Sequence, residues 1–125
     1  MPSPKMISKK ENGVGWMILN NPERHNAISL EMWEAALEIM TDFAADKSVR
    51  VMVLAGNGPA FCAGADLNWM KRMAGYGYDE NLADAKALAE MLATLDRMAK
   101  PTIARVHGPV FAGGTGLVAA CDIAV

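Results

Sequence analysis

Short apolar runs along the chain predict strands, and longer stretches with helical spacing separate them. Residues 6–10 and 14–19 flank Asn12-Gly13, a dipeptide that tolerates positive φ, and this arrangement predicts a β-hairpin. The continuous apolar run Val51-Met52-Val53-Leu54-Ala55 is typical of a strand that is covered on both faces. The pattern predicts another strand over residues 102–106.

Helical spacing predicts a helix that begins after Ser29, whose side chain can cap a helix N-terminus. A short helix is expected after residue 66, ended by Gly75-Tyr76-Gly77, and a long helix over residues 79–100, ended by Pro101. A helix of small residues passes through Leu117 and Ala120. The predicted apolar faces are Leu30, Trp33, Leu37, Met40 and Ala44 in the first helix, Leu67, Met70 and Met73 or Ala74 in the second, and Leu82, Ala85, Leu88 or Ala89, Leu92 and Leu95 in the third.

This order of elements predicts an α/β fold with short crossovers, in which the strands after the hairpin pair in parallel. Residues 121–125 resemble a strand without a following cap or turn. We therefore expect the 125 residues to be the front part of a longer sequence, forming one portion of a single domain.

Composition narrows the function classes. Apolar residues make up 52% and charged residues 21% of the chain, and the formal net charge of -2 argues against non-specific nucleic-acid binding. No apolar run approaches the roughly 18 residues of a membrane span, and the opening segment lacks the apolar stretch of a signal peptide, so a cytoplasmic protein is expected. Cys62 and Cys121 are interpreted as buried apolar residues, and the Cys and His positions have no metal-ligand spacing.

Two loops share one design, in which small residues lie between a strand and a helix. The first contains Ala63-Gly64-Ala65 and the second Ala112-Gly113-Gly114. Amides at a helix N-terminus lack partners within the helix and stabilise negative charge, so two such loops could each offer one N–H to a single carbonyl oxygen. The alternative is that small residues serve only to let helix and sheet pack closely.

Three motifs in succession carry a family resemblance. They are Asn21-Pro22-Glu23-Arg24-His25-Asn26-Ala27-Ile28, then Phe61-Cys62-Ala63-Gly64-Ala65-Asp66-Leu67, and then residues 100–104 followed by Gly113-Gly114 and Cys121-Asp122-Ile123. Together they resemble the N-terminal part of the enoyl-CoA hydratase/isomerase (crotonase) family, with methylglutaconyl-CoA-type hydratases nearest in appearance.

The resemblance implies a spiral of ββα units, usually assembled as a trimer or a dimer of trimers, that binds acyl-CoA thioesters without a separate cofactor. Backbone N–H groups of Ala65 and Gly113 would form the oxyanion hole. Substrate-binding positions would be Ala27, Ala63 and Leu67 around the adenine, Arg24 near the phosphates, Asp66 in the loop, and Gly116. Asp66 is alternatively a helix cap, and Trp69, Met70 and Met73 line the acyl pocket or belong to the core.

Gly116 departs from the family pattern, because hydratases of this family commonly have a glutamate there. The other usual carboxylate would lie beyond Val125, so no general acid or base is apparent. His25 and His107 lie near the loops and are assigned structural or solvent-facing roles, with ligand contact as the alternative. An enoyl-CoA hydratase is the leading interpretation. An isomerase, a non-catalytic acyl-CoA-binding relative and a dinucleotide-binding module remain as alternatives.

Overall fold

The computed structural model describes residues 4–125. Its strands are β1 (Met6–Glu11), β2 (Val14–Leu19), β3 (Val51–Gly56), β4 (Thr102–Ala104) and β5 (Ile123–Ala124). Its α-helices are α1 (Leu30–Ala45), α2 (Leu67–Ala74), α3 (Tyr78–Asp96) and α4 (Gly113–Ala120), and a 3-10 helix covers Pro22–Arg24. No helix within residues 4–125 combines the length and the apolar character that crossing a bilayer requires.

The five strands form one sheet whose spatial order, β1-β2-β3-β4-β5, equals their order in the chain. β1 and β2 pair antiparallel, with Met6 opposite Leu19 and Glu11 opposite Val14. The other neighbours pair in parallel, as in the register of Val14 with Val51. The predicted hairpin and the predicted parallel pairing are both confirmed, and the molecule has a mixed α/β fold.

The core lies between the sheet and its covering helices. Met17 and Leu19 of β2 and Met52 and Leu54 of β3 are almost completely buried. Phe43 of α1 packs so closely on β2 that a Cβ placed on Gly15 would lie 2.8 Å from its ring. The sheet centre is therefore sealed by α1, which explains the absence of a side chain at position 15.

The predicted start of α1 is confirmed, but its predicted apolar face is wrong in part. The Ser29 hydroxyl accepts a hydrogen bond from the Met32 amide at 3.4 Å. Ala44, however, is exposed, and the residues of α1 that are buried are Met32, Trp33, Ala36, Met40 and Phe43. Apolar residues lie on more than one side of α1. Packing against the sheet and α3 determines which of these sides is buried.

The apolar faces of α2 and α3 and the end of α3 differ from the prediction, whereas α2 ends before Gly75 as predicted. Leu82 and Ala85, on the predicted face of α3, are exposed. Leu67 and Met70 of α2 are 65% and 48% exposed, and Trp69 is the residue that α2 buries. α3 ends at Asp96 rather than at residue 100. The reason lies in Lys100, whose ammonium donates hydrogen bonds to the backbone oxygens of Phe43 and Asp46, so the chain already crosses the end of α1 at that point.

Candidate functional site

The two glycine-rich loops touch each other. Gly64 has a φ of +100°, and a Cβ built on it would lie 3.1 Å from the Ala112 Cβ and 3.4 Å from the Gly113 nitrogen. The Phe111 amide donates to the Cys62 oxygen at 3.0 Å, which fastens the second loop to the first. Small residues are therefore required for packing, as one of the two interpretations of these loops held.

Two amides at this contact have no partner within the part of the chain that the structure describes. The Ala65 and Gly113 N–H groups donate to no acceptor of residues 4–125, whereas the neighbouring amide of Asp66 donates to the Ile28 oxygen at 2.8 Å and that of Gly114 to the Phe111 oxygen at 2.9 Å. Gly113 is the first residue of α4, where amides lack helical acceptors. Packing and free donors thus coexist in the same loops.

Ala112 holds an unusual backbone conformation directly before the Gly113 amide. Its φ of +48° and ψ of -121° are rare for a residue with a side chain. Conformations of this kind cost on the order of 1–3 kcal/mol and persist only where the surroundings enforce them. The orientation of the Gly113 amide is therefore fixed by the surrounding fold.

A cavity of about 320 Å³ lies beside the first loop. Six of the eight site residues predicted from the sequence line it, namely Arg24, Ala27, Ala63, Ala65, Asp66 and Leu67. Gly113 is not in this lining but adjoins it through its contact with Gly64. Gly116 lies elsewhere, facing Leu92 of α3, whose methyl groups would be 3.9 Å from an added Cβ.

Backbone hydrogen bonds join the two walls of the cavity. We call residues 21–28 the first wall and residues 57–67 the second wall. The Ala63 amide donates to the His25 oxygen at 3.0 Å, and the Ile28 amide donates to the Gly64 oxygen at 2.7 Å. A single parallel bridge pairs Ile28 with Ala65. The walls thus resemble a short two-stranded ladder, although neither belongs to the sheet.

Asn26 joins the same walls through its side chain, a role that the sequence analysis missed. It is fully buried, and its Nδ2 donates to the Asn57 oxygen at 2.8 Å and to the Ala60 oxygen at 2.9 Å. Its Oδ1 accepts from the Asn21 amide at 2.8 Å. An asparagine in a loop without periodicity carries no sequence signal for such a role, because its partners are backbone groups.

Asp66 both lines the cavity and caps α2. Its carboxylate accepts a hydrogen bond from the Trp69 amide at 3.1 Å, so the interpretation as a helix cap is confirmed. Trp69 itself packs edge-to-face on Trp33 with ring centroids 6.2 Å apart, and its Nε1 donates to Asp84 at 2.8 Å. Trp69 therefore belongs to the core.

The histidines occupy different places. His25 lines the cavity beside Arg24, and both residues are exposed. His107 lies outside that lining, where its Nε2 is 2.6 Å from the Gly58 oxygen, in keeping with the structural role assigned to it. The solvent-facing alternative predicted for His25 is confirmed by its exposure, and its place in the cavity lining agrees with the prediction that it lies near the loops.

Cys62 is buried as predicted, whereas the prediction of a buried Cys121 is wrong in part, because Cys121 is only partly buried. Cys62 is completely buried beneath α4, and burial raises the pKa of its thiol. Burial also raises the pKa of Cys121 from 9.0 to about 11. A thiol of this kind is protonated at neutral pH and is a poor nucleophile.

A model of the enoyl-CoA hydratase/isomerase family matches residues 9–125. The chain belongs to this family. Enoyl-CoA hydratase domain-containing protein 3, mitochondrial, of Xenopus laevis is 33% identical over 123 residues, which are 98% of this chain and 41% of that protein. Enoyl-CoA isomerase/hydratase fer4 of Mycosarcoma maydis is 35% identical over 94% of this chain and 45% of that protein.

Solved structures of the enoyl-CoA hydratase/isomerase family have the same fold. The crystal structure of an enoyl-CoA hydratase from Shewanella pealeana matches with a TM-score of 0.94 and 36% identity, covering 97% of this chain and 46% of that one. The chain spans somewhat less than half the length of these relatives. The family and the crotonase-like fold expected from the three motifs are thus confirmed, for the N-terminal part of that fold.

Proposed function

We propose that this chain is the acyl-CoA-binding part of an enoyl-CoA hydratase, with the Ala65 and Gly113 amides as its oxyanion hole. The observation that carries the proposal is the pair of amides without internal acceptors, at the contact between two loops. Family membership supports the same substrate class, because its members are named for enoyl-CoA chemistry.

The proposed chemistry follows from the thioester. Removing the α-proton, or adding water across the conjugated double bond, places negative charge on the thioester oxygen. Two amides aimed at that oxygen stabilise the resulting enolate, and the loss of one such donor typically costs about 2.7–4 kcal/mol of transition-state stabilisation. In this proposal the chain binds and polarises the substrate through its backbone.

The cavity beside Ala65 is proposed to receive the nucleotide part of CoA. Its volume of about 320 Å³ is at the lower end of the range for small-molecule sites. Ala27, Ala63 and Leu67 offer small or apolar surfaces to the adenine, and the exposed cation of Arg24 can approach the phosphates. Asp66 keeps the loop in place by capping α2.

Proton transfer requires an acid or a base, which the backbone amides of Ala65 and Gly113 do not provide. Gly116 brings no carboxylate, and a Cβ added there would lie 3.9 Å from the methyl groups of Leu92. We propose that a carboxylate beyond Val125 serves as the acid or base, in a cytoplasmic protein that assembles as a homotrimer or homohexamer. An isomerase, which needs one carboxylate to move a proton along the enolate, is the second candidate, and the relative named isomerase/hydratase favours keeping it.

Two measurements test the proposal. Calorimetry with CoA and with NAD is expected to give binding of CoA alone. Binding of NAD without CoA would instead support the dinucleotide-binding alternative and overturn the proposal. Hydration of crotonyl-CoA by the full-length protein, compared with its isomerisation of a 3-enoyl-CoA, separates the two candidate reactions and also the non-catalytic alternative.

A further inference from the structure

We propose that Asn26 is a positioning residue for the nucleotide end of the site. Its side-chain amide sets the spacing of the first wall against the second wall, and its loss weakens the binding of CoA far more than that of a thioester without a nucleotide. The inference rests on the proposed function, because it assumes that the cavity receives the nucleotide.

The cavity lies between the two walls. Arg24, His25 and Ala27 come from the first wall, and Ala63 to Leu67 come from the second. These segments are more than thirty residues apart in sequence and meet outside the sheet, so their separation depends on direct bonds between them. A ligand that contacts both walls is sensitive to that separation.

Asn26 has the chemistry that this junction requires. Its two amide hydrogens satisfy two carbonyl oxygens of the second wall, those of Asn57 and Ala60, and its oxygen accepts from Asn21 of the first wall. Asparagine has a short side chain with two N–H donors and one acceptor oxygen, so it can make all three of these bonds. The backbone φ of +57° at this position is also one that asparagine tolerates better than most residues.

The thioester end has other restraints. Ala65 is paired with Ile28 through backbone bonds, and Gly64 next to it packs on Ala112 of the second loop. The Gly113 side of the contact is held by the bond from Phe111 to Cys62. Arg24 and His25, by contrast, are exposed residues held to the second wall by the bond from Ala63 to the His25 oxygen and by their neighbour Asn26. Asn26 thus controls the nucleotide end.

The experiment compares Asn26→Ala and Asn26→Asp with the unsubstituted full-length protein. Asn26→Asp keeps the shape and the acceptor but faces the Asn57 and Ala60 oxygens with a carboxylate oxygen. For both variants we expect the Kd of CoA to rise about 10- to 100-fold, since small displacements of positioning groups have effects of this size. The Kd of crotonyl-pantetheine, which lacks the nucleotide, is expected to change less than about threefold.

Asn20→Ala, outside both walls, is the matched control. It removes the exposed side-chain bond that Asn57 donates to Asn20 and leaves all three bonds of Asn26 in place. We expect its Kd for CoA to equal that of the unsubstituted protein. Equal loss of affinity for CoA and for crotonyl-pantetheine in the Asn26 variants would overturn the inference, because a general loss of structure affects both ligands.

Hydrogen exchange on the unsubstituted protein tests the inference even if the Asn26 variants do not fold. CoA is expected to slow exchange of the Ala63 amide, which donates to the His25 oxygen at the nucleotide end, at least about tenfold relative to amides of the hairpin, while crotonyl-pantetheine does not. Bound CoA without this protection overturns the inference. Failure of calorimetry to detect any CoA binding overturns the proposed function itself, so the two failures are distinguishable.

Discussion

Gly64 is the residue on which the contact between the two loops depends. Its φ of +100° is unfavourable for any residue with a Cβ, and the space beside it is already filled by Ala112. The adjacent Ala65 amide is one of the two proposed oxyanion donors. A side chain at position 64 would therefore push apart the two groups that must act on one oxygen.

On the proposed hydratase function, we predict that Gly64→Ala lowers the kcat of enoyl-CoA hydration by the full-length protein about 100-fold or more, as the loss of one oxyanion donor does. Backbone strain is also expected to lower the unfolding free energy by about 1–3 kcal/mol. Gly77→Ala is the control, because a Cβ there meets no atom within 4 Å and the φ is -78°. Steady-state kinetics measure the change in kcat, and urea unfolding measures the change in unfolding free energy. Equal kcat values for Gly64→Ala and Gly77→Ala would contradict the role of the contact between the loops.

Arg24 and His25 are consecutive, exposed and side by side at the cavity. If the phosphates of CoA lie there, Arg24→Gln is expected to raise the Kd of CoA about 10-fold, the lower end of the range for one hydrogen bond to a charged group, because Arg24 is exposed. His25→Asn is expected to raise it less, and asparagine suits the φ of 51° at that position. Arg50→Gln, outside the cavity lining, is the control. Calorimetry at two salt concentrations checks this, and an unchanged Kd in Arg24→Gln argues against phosphate contact.

Cys121 gives a prediction of pH dependence. Its pKa of about 11, raised mainly by burial, means that the native state retains the thiol proton longer than the unfolded chain, whose thiol titrates near 9.0. The contribution of this thiol to the free energy of unfolding is therefore fully present below pH 9 and is lost as the pH rises through about 11. We expect the alkylation rate of native Cys121 by iodoacetamide to keep rising up to about pH 11. In urea the alkylation rate of Cys121 is expected to level off near pH 9. If the rate in the native protein also levels off near pH 9, the pKa of Cys121 is not raised by folding.

At the scale of elements, helix phase could not be predicted reliably from spacing. α1 carries apolar residues around much of its circumference, so several stripes fit the sequence, and contact with the sheet selects Met32, Ala36 and Phe43. The signals that were predicted correctly are local ones. The Asn12-Gly13 turn, the Ser29 cap and the apolar run of β3 each depend on a few adjacent residues.

The residues of the candidate site likewise include some that local motifs predict and some that depend on tertiary contacts. The small residues of both loops could be predicted because their motifs are contiguous, and Ala63 and Ala65 of the first loop line the cavity. The role of Asn26 could not be predicted, since it depends on how two distant loops meet. Gly116 was assigned to substrate binding through the resemblance alone, and its position facing Leu92 is a property of the tertiary structure.

Trp69 fastens α2, the helix that follows the first loop, to α3. Its indole N–H donates to the Asp84 carboxylate, and its ring packs on Trp33 of α1. We predict that Trp69→Phe and Asp84→Ala each lower the unfolding free energy and that a double-mutant cycle gives a coupling energy of about 1 kcal/mol. Asp79→Ala, at an exposed acid of the same helix, should give no coupling. A coupling energy near zero would show that the bond does not hold α2 in place.

At the scale of the molecule, the chain spans less than half the length of its relatives, and the proposal places proton transfer outside it. We therefore predict that residues 1–125, prepared alone, bind CoA but do not hydrate crotonyl-CoA, whereas the full-length protein does both. The loss of ultraviolet absorbance as the conjugated double bond is hydrated gives a direct optical assay of both proteins at equal concentration. Hydration by residues 1–125 alone would place the acid or base within them.

The order of the strands has a consequence for how this chain acquires its structure during synthesis. Because spatial order equals chain order, every strand from β2 onward pairs with one that the ribosome has already released. No strand has to be inserted later between two existing neighbours, and closure of each new pair spans a limited length of chain. We expect the sheet to grow vectorially from the hairpin, so that nascent chains arrested after β3 already protect the amides of β1 and β2 from exchange.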